Sequence, residues 1–213
     1  MKIGTTDHPL LLAVAIETTF SQQLGQLKTD PAVIGMLDNE WTSPIKRDEN
    51  TKSQVRDVLR HGGYKPTGRG KPASEYLIKA VDQGKLSSIN QAVDILNVVS
   101  LHSGFPISVV DTDLAPAPLL IDIAAADTKY VFNVSGQTIK LDGLVCLFDS
   151  TGPCANGVKD SQRTKTSEST VKTISIIWGA QSLRDHVEQT KHWYLELLKQ
   201  CGAEVNEIPV AAS

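Results

Sequence analysis

The chain has 213 residues, 40% hydrophobic and 21% charged, enough to bury a sizeable core without disulfide or metal staples. Aromatic residues make up only 5%, so that core must rest on Val, Ile, Leu and Ala. A net charge of −3 and a pI near 5.9 exclude a protein that grips nucleic acid through overall basicity; any such contact must come from local charge. The three cysteines, Cys146, Cys154 and Cys201, are odd in number and form no C-x-x-C pair, so neither a disulfide framework nor a zinc site is expected. A reduced, cytoplasmic compartment fits that usage. The Leu10–Ile16 run is too short to span a bilayer and lacks signal-peptide flanks. One domain over residues 1–213 is expected.

In chain order, Leu10–Ile16 reads as a buried strand, and Pro31–Asp38 as a short helix with proline in its first turn. Trp41–Asn50 is a loop. From Asp48 the pattern is helical, with Val55, Val58 and Leu59 at helical spacing and His61-Gly62-Gly63 as its end. Tyr64–Gly70 is a loop, Pro72 opens a second helix that Gly84 closes, and a third runs from Ser88 to His102 before Gly104. After Gly104 the period changes to that of strands: Ile107–Val110, Leu119–Ile123, Tyr130–Val134, Leu144–Phe148 and Thr173–Trp178. A final helix spans Gln181–Gln200, and Glu204–Pro209 reads as a last strand. A block of helices followed by a block of strands indicates an α+β fold.

Two local objects carry chemistry. The Ser88–His102 helix is apolar on most sides, yet Asn90, Asp94 and Asn97 form one polar stripe at i, i+4, i+7. Buried amides and carboxylates cost several kcal/mol unless hydrogen-bonded. The stripe is therefore either a satisfied internal network or a pocket wall facing a ligand. The segment Lys52–Lys85 carries Lys52, Arg56, Arg60, Lys65, Arg69, Lys71, Lys79 and Lys85 against only Asp57, Glu75 and Asp82. Such a local excess suits an anion or an RNA backbone, although solvated helix faces carry charge runs too. The glycines of Lys65-Pro66-Thr67-Gly68-Arg69-Gly70-Lys71 allow close backbone approach, and the loop feeds a helix N-terminus. A second polar loop, from Asn156 to Thr166, combines Lys159, Arg163 and Lys165 with hydroxyls that include Ser161, a donor set for phosphate or sugar.

Several other signals fail. Gly63–Arg69 lacks the Gly-Lys-Ser/Thr of a P-loop and follows a helix rather than a strand. His8, His61, His102, His186 and His192 show no metal-ligand spacing and read as surface or capping residues. No G-x-S-x-G elbow is present. Cys154 lies in a Gly-Pro-Cys-Ala-Asn-Gly stretch that reads as an exposed turn, with no base beside it, so it is expected to be an inert thiol.

Taken in order, Arg56…Gly63-Tyr64-Lys65-Pro66-Thr67-Gly68-Arg69-Gly70-Lys71-Pro72-Ala73-Ser74-Glu75-Tyr76-Leu77, then Ile89-Asn90-x-x-Val93-Asp94-x-x-Asn97-x-x-Ser100-Leu101, then Pro106-Ile107-Ser108-x-x-Asp111-x-Asp113, resemble the B3/B4 domain family of the phenylalanyl-tRNA synthetase β subunit. The likeness is strong from Arg56 to Asp113 and continues, mainly in strand order, to Trp178. It implies a B3/B4-like α+β fold with mixed sheets and a partner in tRNA, at its aminoacylated 3′ end, with no membrane, DNA or cofactor. In the synthetase this module hydrolyses tyrosine wrongly attached to phenylalanine tRNA. The resemblance, with the two polar loops, nominates Arg56, Lys65, Arg69, Lys71, Asp94, Asn97, Ser108, Asp111, Lys159, Ser161, Arg163 and Lys165 as ligand- or tRNA-binding residues.

The departures limit what carries over. Ser108 stands where editing relatives commonly have a His, and an Arg usual after Asp113 is replaced near Asp122. The Ile174–Trp178 stretch holds no acid to accept a tyrosine hydroxyl. A site built to bond a hydroxyl loses that discrimination without its acceptor, so tyrosine specificity is not expected. Three readings stand: a deacylase of mischarged tRNA acting in trans, a non-catalytic module for tRNA or a small ligand, and a small-molecule hydrolase. No catalytic residue is assigned.

Overall fold

The computed structural model describes residues 2–212. Its strands are β1 (Ile3–Thr5), β2 (Leu11–Thr19), β3 (Ile107–Asp111), β4 (Leu119–Ile123), β5 (Lys129–Val131), β6 (Thr138–Lys140), β7 (Val145–Asp149), β8 (Gly152–Asn156), β9 (Lys172–Ala180), β10 (Glu204–Ile208) and β11 (Val210–Ala212). The helices are α1 (Pro31–Gly35), α2 (Glu49–Arg60), α3 (Ala73–Asp82), α4 (Gln91–Ser103) and α5 (Arg184–Gln200). Helices and strands are segregated along the chain, the α+β order expected from the change of period at Gly104. Among the described residues, no helix is long and apolar enough to cross a membrane.

Two larger sheets and a helical layer are stacked, and β5 and β6 pair as a separate two-stranded sheet. One sheet has the order β11-β1-β4-β7-β8, with β1 parallel to both neighbours and the remainder antiparallel. The other, β10-β2-β9-β3, is antiparallel throughout. Alternation along β9 explains the layering, because successive side chains of a strand point to opposite faces. Ile174, Ile176 and Trp178 join the core shared with β4 and β7, while Ile177 joins the core beneath α4 and α5. Ser175, also on the helical side, meets the Tyr194 hydroxyl of α5 at 2.9 Å. A strand buried on both faces reads as a continuous apolar run, which is why β9 and β2 are visible in the sequence.

Several local features differ from the expectations, among them the short strands β1, β6 and β11, which were not expected. Helix α4 starts at Gln91, because Asn90 has extended backbone (φ −162°) and its side chain caps Val93 N. Residues 152–156 form strand β8 rather than a turn. Pro153 is tolerated because β8 lies at the sheet edge, beside a bulge at Leu147/Phe148, and Cys154 is fully buried. His8 and His102 are buried rather than superficial, with Nε2 atoms 3.2 Å from Val58 O and 2.8 Å from Met36 O. Finally, Gln181–Leu183 is a 3-10 turn that precedes α5.

Candidate nucleic-acid interface

The loop between α2 and α3 is built on close backbone approach. A Cβ on Gly62 would strike Gly143 O, and one on Gly70 would strike the Tyr64 hydroxyl. The loop then folds back over α3, where Tyr76 Oη donates to Gly68 O at 2.7 Å. Ala73 N donates to Gly157 O at 2.9 Å, tying the start of α3 to the loop that follows β8. The β5–β6 hairpin stands on the opposite side. These three elements enclose a cleft of about 880 Å³.

Its cationic lining is Lys65, Arg69, Lys140 and Lys159. Tyr64, Tyr76 and Phe132 supply aromatic surface, and no Asp or Glu lines it. Among the described residues none of the four cations forms an ion pair, whereas Lys52, Arg56, Arg60, Arg163, Lys172 and Lys191 all do. Lys159 Nζ lies 4.1 Å from the Phe132 ring centroid and 6.0 Å from that of Tyr76. Burial lowers the affinity of Lys159 for its proton, and the charge of Arg69 lowers it further. Burial raises the Tyr64 phenol to about 12, so it stays neutral. Like charges gathered without carboxylates leave a field that an anion would relieve.

Beneath Lys159 lies a polar network that fixes its loop. Asn156 Oδ1 accepts from Val158 N at 2.8 Å and Lys159 N at 3.0 Å, and its Nδ2 donates to the Tyr130 hydroxyl, which in turn donates to Lys159 O. Ser108 Oγ accepts from Trp178 Nε1 at 2.9 Å and lies 2.7 Å from Asp160 Oδ1 and 3.0 Å from Asn156 O. Asp160 keeps some surface exposure as a residue, yet its carboxyl faces this network. Burial raises the carboxyl to about 6 against the hydrogen bonds from Ser108 and Asn156 N.

The structure therefore sorts the nominated residues. Lys65, Arg69 and Lys159 meet in the cleft, and Lys165 adjoins it by donating to Phe132 O at 2.7 Å. Lys71 is exposed just beyond. Arg56 is held by a two-pronged pair with Glu75, at 2.6 and 2.7 Å. Arg163 is bonded to Asp149 and to Leu114 O, and Ser161 caps the short turn that carries Arg163. Asp111 accepts from Asp113 N at 2.9 Å and from Thr170 Oγ1.

Of the polar stripe, Asp94 is fully buried and accepts from Thr29 Oγ1 and Ser88 Oγ at 2.6 Å each and from Ile89 N at 2.9 Å. Asn97, further along α4, is half-buried. Sequence reasoning missed Tyr64, Tyr76, Phe132 and Lys140 as members of the site. The Ser135-Gly136 turn signal between two short strands was the clue to the hairpin that presents Phe132 and Lys140.

Among solved structures, the N-terminal fragment of the phenylalanyl-tRNA synthetase β subunit from Pyrococcus horikoshii is similar, with a TM-score of 0.53 at 11% identity. The match covers 100% of this chain and 52% of that one, so the chain spans about half its length, and at this identity the likeness is one of fold. No curated protein matches the chain in sequence. The family model described as the B3/4 domain matches residues 65–192, from the basic loop to the middle of α5, and the chain belongs to that family.

Proposed function

We propose that the chain is a tRNA-binding protein whose cleft receives the single-stranded, aminoacylated 3′ end. The observation that carries this reading is the set of unpaired cations, Lys65, Arg69, Lys140 and Lys159, interleaved with Tyr64, Tyr76 and Phe132. Single-stranded nucleic acid is gripped by that combination: a positive groove for the phosphates and aromatic faces for unstacked bases. The neighbouring fold in a synthetase β subunit adds support by analogy. The test is binding of intact tRNA against tRNA trimmed of its terminal single-stranded nucleotides. The proposal expects trimming to weaken binding at least tenfold, and equal binding contradicts it.

A second reading, hydrolysis of mischarged tRNA in trans, is favoured by one specific observation. Asp160 follows Lys159 directly, its carboxyl lies 2.7 Å from the Ser108 hydroxyl in the network beneath the cleft, and burial raises it to about 6, the range of a general acid or base acting through a positioned hydroxyl. Deacylation of a panel of mischarged tRNAs tests it. Hydrolysis that disappears in Asp160→Asn supports this reading. Binding without turnover of any charged tRNA leaves the protein a binding module.

A further inference from the structure

Lys159 is anchored to the cleft floor through its backbone, since Lys159 N donates to Asn156 and Lys159 O accepts from Tyr130. Among the described residues no carboxylate pairs with its side chain, and its ammonium lies 4.1 Å from the Phe132 ring centroid and 6.0 Å from that of Tyr76. The two rings come from different parts of the chain, Phe132 from the residue after β5 and Tyr76 from the first half of α3, and hydrogen bonds hold the Phe132 backbone and the Tyr76 hydroxyl. Phe132 O accepts from Lys165 and Phe132 N donates to Gln137 O, while the Tyr76 hydroxyl donates to Gly68 O.

Aromatic pairs favour centroid separations of about 4.5–7 Å. A planar ring centred near the ammonium would meet both protein rings within about that range. Contact of a cation with an aromatic face is worth modestly little when exposed, so an entering ring can displace the ammonium at small cost. Arg69 is the charge that acts on Lys159, so an incoming phosphate meets both cations.

We infer that Phe132 and Tyr76 form a slot for one nucleobase, and that Lys159 fills the slot when it is empty and turns to the attached phosphate when a base enters. The inference rests on the nucleic-acid reading of the cleft and names the group that the aromatic part recognises. The chemistry sought is a base bearing a phosphate, whether at the end of an RNA or on a free nucleotide.

Calorimetric titration of the full chain with AMP, ribose 5-phosphate and a short oligoribonucleotide ending in CCA tests it. AMP is expected to bind at least tenfold more tightly than ribose 5-phosphate. Phe132→Leu should weaken AMP about five- to a hundredfold. Tyr76→Leu, at a more exposed position, should act in the same direction and covers the case in which Phe132→Leu fails to fold. Lys159→Met should keep the preference for AMP over ribose 5-phosphate while losing affinity for both. Equal binding of AMP and ribose 5-phosphate, or Leu variants that bind AMP like the parent, would overturn the slot. If the oligonucleotide binds with no dependence on Phe132 and Tyr76, the slot falls and the RNA reading stands. If AMP shows the preference and the oligonucleotide does not bind, the slot stands and the RNA reading falls.

Discussion

The hydroxyl of Ser108 and the carboxyl of Asp160 lie 2.7 Å apart, joining β3 to the loop that carries Lys159 into the cleft. Because Trp178 Nε1 already donates to Ser108 Oγ and Asn156 O lies 3.0 Å away, the single hydroxyl proton is contested by two acceptors. When Asp160 is ionised, Ser108 Oγ donates to its Oδ1, and Asn156 O competes for the same proton. The sequence position that departs from a histidine is thus part of the support for the cleft.

That geometry predicts a pH dependence of stability. Asp160 titrates near 6 in the folded chain, above its ordinary carboxylate value. The folded state therefore holds this proton more tightly than the unfolded state does. The group's stabilisation is fully present below about pH 4 and is lost as pH rises through 6. Its size is on the order of 3 kcal/mol. Urea unfolding of the parent and Asp160→Asn at pH 4.5 and 7.5 checks this. The stability of the parent relative to the variant should fall between those pH values, and an unchanged difference would refute the assignment.

Arg56 and Glu75 form a structural clamp. Their side chains are 25% and 14% exposed and join α2 to α3. Arg56→Met should destabilise the fold by about 2 kcal/mol through loss of two charge-assisted hydrogen bonds, while leaving tRNA affinity within about twofold. Denaturant midpoints and a binding titration on the same preparation separate the two effects.

Asp94 carries a heavier structural load. Asp94→Ala leaves the Thr29 and Ser88 hydroxyls and Ile89 N without their acceptor at the start of α4. A loss of about 3 kcal/mol or more is expected, read as a lowered denaturant midpoint. A variant as stable as the parent would show that this carboxylate is dispensable to the fold.

Much of the fold was legible because its signals are periodic. The long strand β9, the helix α2 with its Asp48 cap and the apolar α4 each show one dominant pattern. What escaped lacks one. Ile3–Thr5 is three residues long, and Gly152–Asn156 carries the glycine and proline of a turn while pairing at a sheet edge. The site was half legible. Charge density marked Lys65, Arg69 and Lys159, but pairing across space decided which cations were spent, and Arg56 and Arg163 found carboxylates at sequence separations of 19 and 14. Of the two readings of the stripe, the bonds of Asp94 to Thr29, Ser88 and Ile89 N match the satisfied internal network, and Asn90 serves as a helix cap.

The most direct test of the account is the salt dependence of tRNA binding for the parent, Arg69→Gln and Lys159→Gln, with Lys191→Gln, from an ion-paired site on α5, as control. Neutralising a cation that meets a phosphate of single-stranded RNA should weaken binding and lower the log–log salt slope by about 0.7. The account predicts that change for Arg69 and Lys159 and none for Lys191. Affinity and slope identical in all four proteins would contradict it.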